Sequence, residues 1–291
     1  MATMVAACAV SGIAQTTEGF FDSKGVKIRY VTAGEGEPVV LVHGWMADSS
    51  MWGRDAAGNT ELHATKDGGF QIIALDCRGH GKSDKPHDPA KYGVEMANDV
   101  VRLLDHLKMK KAHLIGYSMG AFIVGKVAAM HPDRVLSAIY GGQGPIIAGA
   151  PSTGGADEVE LFAKTVESGQ SLGAYLIAVS PAGRPKPTPA QADAFAKIIF
   201  GGKDLKALAI AGQSLGKLEV SPRDLGRCKA PSLFIYGGNE SDAVKKGVEF
   251  ARQALPQSEV KVIPGTDHVT TLGNPAFGAS ILEFLRGHRA G

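Results

Sequence analysis

The chain has 291 residues, 44% of them hydrophobic and 21% charged, which is enough apolar material for a large core and too much for a disordered polymer. A formal net charge of +2 gives no electrostatic reason for a nucleic-acid or anionic-membrane partner, and no apolar run approaches the roughly 20 residues that span a bilayer. Three cysteines, Cys8, Cys77 and Cys228, are too few and too scattered for a disulfide framework or a zinc site; they read as buried thiols, with a Cys77–Cys228 pair left open.

Residues 1–18 read as an N-terminal extension or the remnant of a leader. Met4 to Ala14 is apolar and ends on small Gly12 and Ala14, as an export signal does, yet no Lys or Arg precedes Lys24. Location divides the same way, cytoplasmic without a leader and exported with one. Gly25 to Val31 then alternates apolar and polar residues like a half-exposed strand. After the turn-rich stretch from Ala33 to Pro38 comes an unbroken apolar run, Val39 to Val42. Similar runs are Ile72–Leu75, Leu114–Ile115, Val135–Tyr140, Leu233–Tyr236 and, less cleanly, Val260–Ile263. Strands apolar on both faces belong in a parallel sheet covered by helices on both sides. Val94, Ala97, Val101, Leu104 and Leu107 form one helical stripe, and Phe277, Ile281, Leu282 and Leu285 another. The predicted fold class is therefore α/β, a doubly wound, mostly parallel sheet with ligands beyond the carboxyl ends of its strands.

From Gly144 to Pro222 no buried strand is evident. Helix-like segments lie around 159–166, 172–179, 190–200 and 205–215, divided by Pro181, Pro185, Pro187 and Pro189. The expected organisation is a core of residues 19–143 and 223–291 with a helical cap, or lid, of residues 144–222, the alternative being a helical subdomain with no part in substrate binding. Its Phe162, Tyr175, Leu176, Ile198, Ile199 and Phe200 read either as the wall of an apolar acyl or aryl pocket or as the cap's own core.

The chemistry centres on Gly116-Tyr117-Ser118-Met119-Gly120, between the apolar Ala112–Ile115 and the helix-like run closed by His131-Pro132. Strand, sharp turn and helix in that order lift the serine out of the sheet, and the two glycines relieve the crowding of the bend. A serine hydroxyl needs a base, and a base needs an orienting carboxylate. His268 follows the last strand in Pro264-Gly265-Thr266-Asp267-His268, on the face where Ser118 emerges. His106, His113 and His131 occupy structural positions, and His288 sits in a polar tail. The acid is expected after Tyr236, in Gly237-Gly238-Asn239-Glu240-Ser241-Asp242, where Glu240 is favoured and Asp242 is the alternate. Oxyanion donors are expected from the amides of Met119, at a helix start, and Trp45, in His43-Gly44-Trp45-Met46, a loop that His43 braces.

His43-Gly44-Trp45, Asp76-Cys77-Arg78-Gly79-His80-Gly81-Lys82-Ser83-Asp84, Gly116 to Gly120, the Gly237–Glu240 turn and His268 together resemble the α/β-hydrolase superfamily of serine hydrolases, here with a helical cap. The likeness runs from about Phe20 onward. It implies an acyl-serine intermediate, no metal or organic cofactor, and a small-molecule ester or related acyl substrate. Glu240 departs from the aspartate usual in relatives. Carboxylic-ester hydrolysis leads. Carbon–carbon bond hydrolysis, lactone hydrolysis and cofactor-free haloperoxidation use the same triad, and a non-catalytic ligand receptor on this fold is the reading of another class. Halide and epoxide chemistries use a carboxylate nucleophile, against which Ser118 argues. Gly81-Lys82-Ser83 matches the end of a phosphate loop, but residue 76 is Asp where that motif needs Gly, so the segment reads as structural, with Arg78 near the pocket rim. Oligomeric state is not readable from the sequence.

Overall fold

The computed structural model describes residues 16–53, 69–151, 155–180 and 185–289. Cys8, Pro181 and the segment read as a leader up to residue 15 lie outside the described residues. The strands are β1 (Thr17–Asp22), β2 (Lys27–Ala33), β3 (Glu37–Val42), β4 (Phe70–Leu75), β5 (Ala112–Tyr117), β6 (Val135–Gly141), β7 (Ser232–Gly237) and β8 (Glu259–Ile263). They form one eight-stranded sheet in the order β1-β2-β4-β3-β5-β6-β7-β8. The hairpin β1–β2 and the β2–β4 pair are antiparallel; every other pair is parallel.

Period-2 alternation distributes the central strands between two cores. Val40, Val42 and Leu114 face one cluster, while Val39, Leu41 and Ile115 face the other with Phe277, Ile281 and Leu285 of α9 (Pro275–Gly287). Each strand is thus buried on both sides, which is why its sequence is an unbroken apolar run. The edge strands lack that signature. In β1 only Phe21 is buried, and sequence reading passed over this strand; in β8 Ile263 alone is buried, hence its less clean pattern.

β3 and β5 are neighbours, and the chain continues from β3 to β4 on one side of the pair and from β5 to β6 on the other. At such a switch point the carboxyl ends of two neighbouring strands open a crevice. The loop after β3 and the turn after β5 meet there.

The face of α1 (Val94–His106) is rotated from the expected stripe. Met96, Ala97, Val100, Leu103 and Leu104 are buried, with Asp99 among them, whereas Val94, Val101 and Leu107 are half-buried. The reason is a buried ion pair. Arg78, 1% exposed, donates through Nε and Nη2 to the two Asp99 oxygens at 2.7 and 2.5 Å, and through Nη1 to Lys91 O. Arg78 is therefore not at a pocket rim. A desolvated guanidinium is tolerated because its carboxylate and carbonyl partners satisfy the fork, and removing one partner would strand the other. His288 also departs from expectation: rather than trailing in solvent, it closes α9 with its ring over Phe284, centroids 4.3 Å apart.

Between β6 and β7 run α3 (Ala156–Glu167), α4 (Leu172–Ala178), α5 (Pro189–Phe200), α6 (Leu205–Gln213) and the short α7 (Pro222–Leu225). Pro189 opens α5 as its first residue, behind a capping box of Thr188 and Gln191. Phe162, Tyr175 and Phe200 form a triangle of rings with centroids 5.3, 5.7 and 6.2 Å apart. These three are the segment's own core, held together by burial and edge-on ring contacts. Ile198, 78% exposed, and Ile199 face outward, so they line no interior pocket. Cys77 and Cys228 are free buried thiols. Among the described residues no helix is long and apolar enough to cross a membrane.

Candidate active site

Ser118 stands between β5 and α2 (Met119–Met130) with φ 55° and ψ −118°. Side chains rarely adopt this backbone form, and it persists only where the surroundings impose it. Here they do: Ser118 N donates to Gly141 O at 2.8 Å, and Ala121 N donates back to Ser118 O at 2.8 Å. A Cβ on Gly116 would lie 2.1 Å from Gly120 O, and one on Gly120 would lie 2.0 Å from Val42 O. Both glycines are required by backbone packed against backbone. A Cβ on Gly44 would lie 3.4 Å from Ser118 Cβ, so the loop after β3 rests directly against the serine.

His268 and Glu240 meet. His268 Nδ1 is 2.8 Å from Glu240 Oε1; the glutamate side chain is 4% exposed and the histidine's 38%. Because an ionised carboxylate only accepts, Nδ1 carries the proton and Nε2 is left with its lone pair, the form that takes up a proton. Two loops are fastened to make this contact. Gly238 N donates to Ile263 O at 2.9 Å and Asn239 N to Thr266 O at 2.8 Å, joining the turn after β7 to the loop after β8. Gly237 permits the approach, since a Cβ there would lie 2.3 Å from Thr266 O. Asp267 Oδ1 accepts from Val269 N and Thr270 N, stiffening the chain beside the imidazole.

Tyr117, the residue before the serine, donates its hydroxyl to His268 O at 2.6 Å and packs its ring 5.3 Å from the imidazole. Sequence reading gave Tyr117 no role. Its position in the strand signalled nothing more than a buried aromatic. Asp242 is elsewhere: exposed, it is the first residue of α8 (Asp242–Ala254), where a negative charge suits the positive end of the helix. Met119 N opens α2, one of the amides that a helix cannot satisfy internally.

His43 is buried and spans two loops. Its Nδ1 donates to Gly44 O at 2.7 Å, and its Nε2 accepts from Cys77 N at 2.9 Å. Burial holds its pKa below the ordinary imidazole value. The neighbouring His80 is pushed down to about 3, chiefly by burial and secondarily by His43. Where the phosphate motif would cradle an anion, Asp76 fills the space: its carboxylate accepts from Ser49 N and Lys82 N, both at 2.8 Å. Among the described residues no group of three His, Cys, Asp or Glu side chains is placed to hold a metal ion.

Burial lowers His113 in the same way, and the three lowered imidazoles carry a prediction. A histidine whose folded pKa lies below its unfolded one stabilises fully above the unfolded value, near 6.5, and progressively less as pH falls toward the folded one. The unfolding free energy from urea titrations should therefore fall from pH 7 to pH 5. His80→Asn should reduce the slope by about 1.4 kcal/mol per pH unit. An unchanged slope would mean that His80 is not buried in its neutral form.

Comparisons with known proteins bear on the family and the fold. A family described as alpha/beta hydrolase fold matches residues 37–275. Epoxide hydrolase A of Mycobacterium tuberculosis is 35% identical over 124 residues, a match covering 42% of this chain and 37% of that protein, so the likeness spans well under half of that relative's length. A non-heme chloroperoxidase of Kitasatospora aureofaciens is 28% identical over 282 residues, covering 90% of this chain and 96% of the relative. Among solved structures, a carboxylesterase of Nitrososphaera gargenis superposes with a TM-score of 0.75 at 22% identity, covering 92% of this chain and 98% of that one, a likeness of fold. The family match, spanning most of the sheet together with the elbow and the loop that carries His268, establishes that the chain belongs to the alpha/beta hydrolase fold family.

Proposed function

We propose that the chain is a serine hydrolase that cleaves carboxylic esters, with Ser118 as nucleophile, His268 as base and Glu240 as the acid that orients it. The 2.8 Å contact between His268 Nδ1 and Glu240 Oε1, in a loop whose His268 carbonyl is bonded by Tyr117, the residue before the strained serine, carries this reading. Ser118 Oγ attacks the ester carbonyl and passes its proton to His268 Nε2. The amides of Met119 and Trp45 stabilise the developing oxyanion. Collapse expels the alkoxide, which takes the proton from His268, and water releases the acyl group by the same route in reverse. Residues 144–222 serve as a cap that keeps bulk water from the acyl-enzyme, with the Phe162 edge against the Trp45 ring (centroids 5.3 Å apart) as part of its seat.

Epoxide opening by an enzymic carboxylate does not fit a serine at the elbow. Haloperoxidation is the second reading, favoured by the chloroperoxidase that matches along nearly the whole chain; it would use the same three residues. Mixing the protein with p-nitrophenyl acetate should give a burst of one p-nitrophenol per chain, and a fluorophosphonate should add to Ser118 and to no other residue. A folded protein that shows neither burst nor adduct is a ligand receptor on a hydrolase fold. A panel of acyl esters run beside lactones then ranks the acyl substrates.

A further inference from the structure

We infer that Lys203 is a positioning residue that clamps the oxyanion loop from the helical segment between β6 and β7. The inference rests on the proposed ester chemistry and adds to it a device that makes the oxyanion hole depend on where that segment sits. The loop needs such a device. Met46 has φ 64°, a left-handed backbone that a methionine keeps only under external constraint. The constraint is visible on both sides of the Trp45 amide. On the upstream side Gly44 O accepts from His43 Nδ1 at 2.7 Å and from Ala47 N at 3.2 Å, so the core itself fixes that carbonyl. On the downstream side Met46 O accepts from Lys203 Nζ at 2.7 Å, across 157 positions of sequence. A second tie runs the other way, from Trp45 Nε1 to Leu208 O at 2.9 Å.

Lys203 is itself well anchored. The turn before it uses Gly202 at φ 76°, and Lys203 N donates to Phe200 O at 3.0 Å. Asp204, next in sequence, caps α6 by accepting from Ala207 N at 2.9 Å and also meets His87 Nε2 at 2.9 Å, from a loop of the sheet domain. The ammonium is thus delivered from a fixed point, and its bond to a carbonyl is charge-assisted, the stronger kind of hydrogen bond. A donor aimed at a transition-state oxygen has value only while its position is held, and a displacement of about 1 Å is enough to cost roughly a hundredfold in rate. Movement of the helical segment would therefore disarm the hole without touching Ser118, His268 or Glu240.

The test compares wild type with Lys203→Met, which keeps the aliphatic stem and loses the ammonium, and with Lys203→Arg, which keeps a cationic donor. Hydrogen–deuterium exchange over residues 43–48 reads the loop whether or not the protein turns over an ester. In Lys203→Met exchange there should rise, kcat for p-nitrophenyl acetate should fall roughly ten- to hundredfold, and KM should stay within about twofold. The affinity for a phenylboronic acid, whose tetrahedral adduct presents an oxygen to the same amides, should fall in step with kcat. Lys203→Arg should recover most of both. Trp45→Phe, which keeps the ring against Phe162 and drops the tie to Leu208, should move the same readouts less far, and it serves if Lys203→Met folds poorly. Unchanged exchange in Lys203→Met overturns the clamp. So does raised exchange with kcat and boronate affinity intact, or a loss confined to KM. A wild-type protein inert toward every ester overturns the functional reading instead, and the exchange measurement still decides whether Lys203 holds the loop.

Discussion

Ser118→Ala is expected to lower p-nitrophenyl ester turnover by about four to six orders of magnitude, remove the burst and abolish fluorophosphonate labelling, while the melting temperature changes little. The size of the effect follows from the interdependence of the three groups. Once the attacking oxygen is gone, the imidazole and its carboxylate have no proton to move, and what survives is the binding and oxyanion contribution alone. The stability side follows from the backbone. Alanine inherits the same φ of 55° and the same bonds to Gly141 and Ala121, so it meets no new strain. Ser118→Gly should melt higher than wild type, since glycine adopts that φ without penalty. The measurement is a progress curve beside a thermal melt of the same preparation. Turnover retained within about tenfold in Ser118→Ala would remove the nucleophile from the mechanism, because no single supporting residue can be lost so cheaply when it forms the covalent bond.

Features fixed by contacts within a few residues were legible in the sequence. The central strands announced themselves because burial on both faces leaves no room for polar residues, and the bend at Ser118 did so because only glycine fits where Gly116 meets Gly120 O. What stayed hidden depends on pairings far apart in the chain. Asp99 on α1 looks like a break in an apolar stripe until Arg78 is found bonded to both its oxygens; the helix then rotates to bury the pair. The aromatic residues between β6 and β7 left two interpretations open, since composition does not say whether Phe162, Tyr175 and Phe200 face a ligand or one another; the triangle of rings decides for the latter. β1 escaped notice because an edge strand with one buried side chain carries almost no pattern. The bond from Lys203 to Met46 O leaves no trace in either local sequence, as a surface-type lysine and a methionine loop both have ordinary explanations.

Which carboxylate serves His268 is the second large effect, and two isosteric changes separate the candidates. Glu240→Gln should lower kcat by about 10⁴-fold. A glutamine in that place can turn its amide toward the ring and donate to Nδ1, which forces the proton onto Nε2, where it blocks acceptance from Ser118. It can also accept from Nδ1–H, but without the charge that stabilises the imidazolium formed during attack. Asp242→Asn should leave kcat within about twofold and cost only about 0.3–1 kcal/mol of stability, the usual contribution of a negative charge at an exposed helix start. Glu240→Asp draws the carboxylate back by one methylene from a contact of 2.8 Å; it should fall between the other two in kcat, because the charge persists while the hydrogen bond lengthens. The three rates in the order Asp242→Asn, Glu240→Asp, Glu240→Gln, from fastest to slowest, identify Glu240 as the orienting acid. The reverse order for Asn and Gln would require the turn after β7 to rearrange in solution, against the backbone bonds of Gly238 and Asn239 that now fix it to the loop of His268.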